Sequence, residues 1–195
     1  MHKLTCSFLG YNQKKTKLIN FLKKKDINVK NYNEELKIND LKNSDLTISF
    51  GYRKIIDKKI LSNLKKPIIN LHMSYLPYNR GSHPNFWSFV EETPKGVSIH
   101  EISNGIDDGD IIFQKKFNLD PSQEEFSTFR KTYLFLFNSL EQLFIENFDS
   151  IINYKYSTKK QGKIFTSHRS KDLPKNLNNW DQNIEEYLRK KNQDN

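Results

Sequence analysis

The run Pro67-Ile68-Ile69-Asn70-Leu71-His72, continued by Met73-Ser74-Tyr75-Leu76-Pro77-Tyr78-Asn79-Arg80-Gly81-Ser82-His83-Pro84, decides how this chain is read. Its first part is apolar and rich in β-branched residues, and it ends abruptly in polar ones, as a buried strand does where it meets a loop. Asn70 and His72 stand two apart, so on an extended backbone both side chains leave the same face. An amide and an imidazole held side by side can polarise a carbonyl oxygen. The same pair can also do no more than satisfy backbone groups at a strand end.

Upstream of this run, Leu4–Leu9 reads as a short buried strand, followed by a lysine-rich helix with Leu18, Ile19, Phe21 and Leu22 inward. Ile27–Val29 and Leu46–Phe50 read as further strands and Ile60–Leu64 as a short helix. Strands alternating with helices at this spacing predict βαβ units, a mostly parallel sheet and an α/β fold. Downstream, the loop Ser74–Pro84 leads into a short helix near Phe86–Glu91, then strands Val97–Ile102 and Asp110–Phe117. Glu124–Phe148 reads as one long helix, with capping-box spacing at Ser122 and Glu125. Its stripe of Phe126, Phe129, Tyr133, Leu136 or Phe137, Leu140, Phe144 and Phe148 reads as core packing. Residues 1–155 are expected to form the main domain and 156–195 a short polar extension, with an edge strand over Gln161–Phe165 and a frayed tail from Lys190.

The chain has 195 residues and a net charge of +9, carried by 32 Lys and Arg against 23 Asp and Glu. A length in this range fits one domain with a small appendage. The charge invites a nucleic-acid reading, but its distribution speaks against one. Twenty-seven of the cations are lysines, whereas readers of phosphate and bases favour the planar fork of arginine. The stretch Pro67–Gln114 carries two cations and six acids, so the positive excess sits in the flanks, on solvated faces. The single cysteine, Cys6, excludes an internal disulfide framework and a cysteine-rich zinc site, and fits a reducing cytoplasm. No apolar run reaches the length of a membrane span.

A second chemical element is Gly105-Ile106-Asp107-Asp108-Gly109-Asp110, where glycines flank an acidic pair and allow a tight loop that can press a carboxylate into a pocket. A carboxylate beside an imidazole fixes its tautomer and favours its protonated form. By composition the same loop could be a surface turn. The chain has no Gly-Xaa-Ser-Xaa-Gly elbow, no P-loop, no Gly-Xaa-Gly-Xaa-Xaa-Gly and no His-Glu-Xaa-Xaa-His. His2, His83, His100 and His168 are scattered without metal-ligand spacing, so no metal is expected.

In order and spacing, three groups of residues resemble the folate-dependent formyltransferase family. They are Asn70–Pro77 with Arg80-Gly81 and Pro84, Gly96-Val97-Ser98-Ile99-His100, and Asp107-Asp108-Gly109-Asp110-Ile111-Ile112. The family includes glycinamide ribonucleotide, methionyl-tRNA and nucleotide-sugar formyltransferases. The resemblance is strong over about residues 45–117 and weak elsewhere. It implies a Rossmann-like domain, 10-formyltetrahydrofolate as formyl donor, and a catalytic triad of Asn70, His72 and Asp107. It puts Lys54, Ile55 and Ile56 beside the folate, Ile102 and Ile106 on its other side, and Leu76, Pro77 and Gly81 in a loop closing over donor and acceptor.

The acceptor is read from departures within the family. The purine-pathway enzyme resembles this chain in length but holds its substrate phosphate on a small Gly/Ser/Asn loop, where this chain has Gly10-Tyr11-Asn12-Gln13-Lys14-Lys15. The tRNA enzyme carries a further C-terminal domain. Tyr75–Gly81 followed by Pro84-Asn85-Phe86-Trp87-Ser88, and His168-Arg169-Ser170-Lys171-Asp172-Leu173, look most like the sugar N-formyltransferases. That resemblance implies a small-molecule amino sugar as partner, carried on a nucleotide, for bacterial surface glycans such as lipopolysaccharide. Tyr78, Arg80, Gly81, His83 and Trp87 are then the candidate acceptor-binding residues. A homodimer is left open, and neither nucleic acid nor membrane is an expected partner. The readings kept beside this one are glycinamide ribonucleotide formyltransferase and a folate-binding relative without turnover.

Overall fold

The computed structural model describes residues 3–163, 165–177 and 179–193. Strand β1 (Thr5–Gly10) is followed by helix α1 (Leu18–Lys24), β2 (Asn28–Tyr32), β3 (Leu46–Phe50), helix α2 (Lys58–Ser62) and β4 (Ile68–His72). The two-residue β5 (Arg80–Gly81), helix α3 (Pro84–Val90), β6 (Lys95–Glu101) and β7 (Ile111–Phe117) come next. Helices α4 (Phe129–Glu146) and α5 (Phe148–Ile152), β8 (Ser167–His168) and helix α6 (Ile184–Gln193) complete the order. Six strands form one sheet in the order β2-β1-β3-β4-β6-β7. The pairs β1·β2, β1·β3 and β3·β4 are parallel, as the alternation of strands and helices predicts. Strands β3 and β4 are buried over nearly their whole length because, Asn70 and His72 apart, their residues are apolar or small on both faces.

The chain groups into two compact units, neither of them a continuous stretch. The first comprises Met1–His72, Ile99–Phe113 and Glu141–Lys160, and the second Met73–Ser98, Gln114–Leu140 and Gln161–Asn195. Residues 156–160 of the expected extension therefore belong with the first unit and the rest with the second. In the first unit, Leu9, Leu36, Leu41, Ile60 and Ile68 form an apolar cluster, and Phe21 meets Phe148 edge to face at 5.1 Å. In the second, the rings of Phe86, Phe129 and Tyr187 meet at 5.1–5.6 Å. Among the described residues no helix is long and apolar enough to cross a membrane.

Several expectations are corrected. The long helix is interrupted: Glu124–Phe126 is a single 3-10 turn, α4 starts at Phe129, and Asn147 separates it from α5. Ser122 does not cap it: α4 begins at Phe129, and Thr128 Oγ1, just before it, accepts from Lys131 N at 3.2 Å. The stripe nevertheless faces inward, with Phe129, Leu136, Leu140 and Phe144 at most 1% exposed. The described residues of Gln161–Phe165 form no strand, Ile164 lying outside them, and pairing falls instead on Ser167–His168. The tail is helical through Lys190–Gln193, Asp194 and Asn195 lying outside the described residues, because Ile184 and Tyr187 are buried along one face of α6 and anchor it. Asp110 stands just before β7, where Glu101 N donates to its carbonyl at 3.0 Å.

Burial pushes the Cys6 thiol well above its ordinary value of 9.0. It does the same, helped by the nearby Cys6, Asp45 and Glu101, to the Tyr154 phenol, ordinarily at 10.0. Both groups keep a proton in the fold that the unfolded chain releases. Their contribution is complete below pH about 9 and is lost as pH rises beyond it, at about 1.4 kcal/mol per pH unit for Cys6. Urea unfolding between about pH 8 and pH 10 is expected to show this loss, with a shallower slope in Cys6→Val. A slope that Cys6→Val leaves unchanged would contradict the assignment.

Candidate active site

In a doubly wound sheet the ligand crevice lies where the strand order reverses, outside the carboxyl ends of the strands. Here β1 lies between β2 and β3, and their parallel register aligns Gly10 with Phe50 and Phe50 with Leu71. Gly10 has φ +98° and its hydrogen sits against the Phe50 carbonyl, so a side chain there would overlap backbone. Gly51 has φ +69° and accommodates the Tyr11 ring.

At the end of β4 the first unit gathers four polar side chains. Asn70 Nδ2 donates to Asp107 Oδ1 at 3.0 Å and lies 2.9 Å from His100 Nε2. His72 Nδ1 stands 3.6 Å from Asp107 Oδ2, and His100 Nε2 stands 3.5 Å from Asp107 Oδ1. The two imidazole rings meet edge to face at 6.2 Å. His72 is 8% exposed and His100 1%, so these contacts act in surroundings of low polarity. Asp107 has φ +46°, a conformation that Asp tolerates and most residues do not. The loop holding it depends on Gly109, where any Cβ would overlap the Glu101 carbonyl oxygen. Gly109→Ala is therefore expected to displace Asp107 and lower kcat by roughly a hundredfold, the scale of a 1 Å misplacement. Parental kcat in a folded Gly109→Ala protein would contradict this.

His100 is the site residue that sequence reasoning passed over as one of several scattered histidines. Its signal was present: it ends the alternation Val97-Ser98-Ile99-His100, with Val97 and Ile99 fully buried. Among the described residues no three His, Cys, Asp or Glu side chains are grouped to hold a metal ion.

Of the residues expected beside a folate, Ile56 and Ile102 come together in the first unit, half-buried against the Leu9–Ile68 cluster. Lys54 is exposed, and Ile55 and Ile106 are 92% and 60% exposed. Leu76 belongs to the second unit and is 1% exposed, its N–H donating to Ser98 Oγ at 3.1 Å and its carbonyl accepting from Gln114 Nε2 at 2.7 Å.

The expected acceptor-binding residues also belong to the second unit, where the C-terminal segment engages most of them. Arg80 and Gly81 pair with Ser167 and His168 in a two-stranded parallel sheet. The Arg80 guanidinium donates from Nε and Nη2 to Gln161 Oε1 at 3.0 and 2.7 Å and covers the Phe165 ring. Trp87 stacks on His168 at 3.9 Å, and His83 stacks on Trp180 at 5.3 Å. Tyr78 is half-buried, its N–H held by the Tyr75 carbonyl at 3.2 Å.

An open α/β sheet with a half-buried amide and carboxylate and a buried imidazole at a strand end holds the donors and the charge that could polarise a carbonyl. The formyl transferase family matches residues 6–135, about two thirds of the chain, and the chain belongs to that family.

The chain is similar over 94% of its length to the formyltransferase PseJ from Anoxybacillus kamchatkensis, of which 97% is covered, at 38% identity and a TM-score of 0.85. That protein was solved with UDP-4,6-dideoxy-4-formamido-L-AltNAc and tetrahydrofolate. The dTDP-4-amino-4,6-dideoxyglucose formyltransferase of Mycobacterium bovis is 28% identical over 66% of this chain and 53% of its own length. The methionyl-tRNA formyltransferase of Ehrlichia ruminantium is 31% identical over 64% of this chain and 41% of its own. The chain thus spans about half the length of the curated relatives it matches.

Proposed function

We propose that the protein is an N-formyltransferase that moves the formyl group of 10-formyltetrahydrofolate to the amine of a nucleotide-linked amino sugar. The observation that carries this reading is the Asn70–His72–Asp107 constellation, set in a chain alike over nearly its whole length to a formyltransferase solved with such a sugar and a folate. The neutral amine attacks the formyl carbon. Asn70 and protonated His72 stabilise the tetrahedral oxyanion, and Asp107 favours the imidazolium. Asp107 accepts the amine proton directly or through water. Collapse breaks the bond to N10 of the folate, which takes up that proton, leaving a formamido sugar and tetrahydrofolate. The half-buried Ile56 and Ile102, with the exposed Ile55 and Ile106, offer apolar surface for the flat pterin. Leu76 is proposed as a further donor-binding residue, and Tyr78, Arg80, Gly81, His83 and Trp87 as acceptor-binding residues. The product serves surface glycan synthesis and the reaction takes place in the cytoplasm.

Glycinamide ribonucleotide is disfavoured by the end of α1, where an open sheet would seat a phosphate. The buried Glu141 carboxylate already accepts there from Thr16 Oγ1 at 2.6 Å and Lys17 N at 2.9 Å, and its charge repels another anion. A relative without turnover is disfavoured by the mutual fit of Asn70, His72 and Asp107. The deciding experiment incubates the protein with 10-formyltetrahydrofolate and a panel of nucleotide-linked amino sugars, with glycinamide ribonucleotide as control, and reads the products by mass spectrometry. One sugar gaining a formyl group is the expected result. Formylation of the control alone, or of nothing, would overturn the proposal.

A further inference from the structure

The ionised Asp107 carboxylate can only accept, so the Asn70 atom 3.0 Å from it is the amide nitrogen. The same nitrogen lies 2.9 Å from His100 Nε2, which must therefore accept and carry no proton. The proton of the neutral ring is then on Nδ1, and Nδ1 faces an acceptor, the Glu101 carbonyl oxygen, at 2.8 Å. From Asp107 to Glu101 the donors and acceptors thus have one consistent assignment: carboxylate, amide N–H, bare Nε2, Nδ1–H, carbonyl. Reversing the Asn70 amide would set its oxygen against both the carboxylate and a ring lone pair, in a site where His100 is 1% exposed.

We propose that His100 is a positioning residue for the transfer. As the neutral Nδ1–H tautomer it locks the Asn70 carboxamide with nitrogen, not oxygen, toward Asp107 and the reacting carbonyl. The amide offers two hydrogens and meets two acceptors. His100 holds one of them, and the other, facing Asp107, is the one an entering formyl oxygen shares. Without His100 the amide is held by Asp107 alone, through the very hydrogen that the formyl oxygen is to share, and the oxyanion then meets a well-placed donor only part of the time. The consequence for catalysis rests on the formyl-transfer reading above, whereas the lock is a property of the free protein.

The test therefore has two arms. Nitrogen-15 NMR of the histidine-labelled free protein at neutral pH reads the tautomer directly. The Nδ1–H form is expected for His100, and its population is expected to fall in Asn70→Ala; an Nε2–H ring, or a tautomer indifferent to Asn70→Ala, overturns the lock. The kinetic arm compares His100→Leu with His100→Gln, which keeps an acceptor. A loss of roughly 10- to 100-fold in kcat with little change in KM is expected for the leucine variant, on the scale of one misaligned catalytic donor. Glutamine is expected to restore most of it. Equal losses in the two variants, or parental kcat in the leucine variant, would overturn the proposal. Should the parent formylate nothing, the functional reading falls and the tautomer still decides the lock.

Discussion

Asp107→Asn is expected to lower kcat by at least about a hundredfold while leaving the protein folded at parental stability. Asn is nearly the size of Asp and tolerates the left-handed backbone that residue 107 adopts at φ +46°, so the loop has no reason to move. What disappears is the charge. The carboxylate accepts from Asn70 at 3.0 Å and faces His72 Nδ1 at 3.6 Å and His100 Nε2 at 3.5 Å. An amide at 107 neither favours the imidazolium of His72 nor accepts the amine proton. Steady-state kinetics beside a thermal melt separate the two effects. Unaltered kcat at parental stability would remove Asp107 from the mechanism.

Glu141→Ala is expected to act on stability instead, by about 2–3 kcal/mol. Glu141 is 2% exposed, and one of its oxygens accepts from Thr16 Oγ1 and from the N–H of Lys17, the residue that opens α1. Charge-assisted hydrogen bonds of this kind, buried at the positive end of a helix, are among the stronger ones. Alanine leaves both donors unsatisfied and opens a gap beside them. The companion ion pair to Lys17 Nζ, 3.7 Å long and half-exposed on the lysine side, adds little. For a chain of this length the expected fall in Tm is roughly 4–12 °C. Glu141→Gln, which keeps the acceptor oxygen, should lose distinctly less. A melt of Glu141→Ala that overlays the parent would show that the carboxylate does not hold α1.

Much of the frame is legible in the residues themselves. Leu46–Phe50 and Ile68–His72 are short runs that can only be buried on both faces, which is what a central parallel strand requires. Period two places Asn70 and His72 on one face of the strand, whereas Asp107 rather than Asp108 follows only from the family resemblance, in which the aspartate stands two residues before a glycine. His100 was not legible as a partner, because its meaning comes from the neighbouring strand: β6 lies next to β4 and sets it 2.9 Å from Asn70. The break in the long helix was hidden for a similar reason. Phe126 is buried on the same stripe as Phe129, so periodicity runs through a segment that changes from a 3-10 turn to a helix. The pairing of Ser167–His168 with Arg80–Gly81 has no apolar pattern; it rests on backbone hydrogen bonds and on side-chain contacts such as the stack of His168 on Trp87. Two residues of strand carry too little sequence for such pairing to be read.

The central claim is that Asn70, His72 and Asp107 move a formyl group to an amino sugar, and a single-turnover experiment tests it most directly. Parent and His72→Ala are each mixed in excess with 10-formyltetrahydrofolate and the sugar that the panel identifies, and formamide formation is followed in time. The parent is expected to form product in one burst, and the variant to do so at least about a hundredfold more slowly with the folate still bound. A variant that matches the parent's burst would contradict the account.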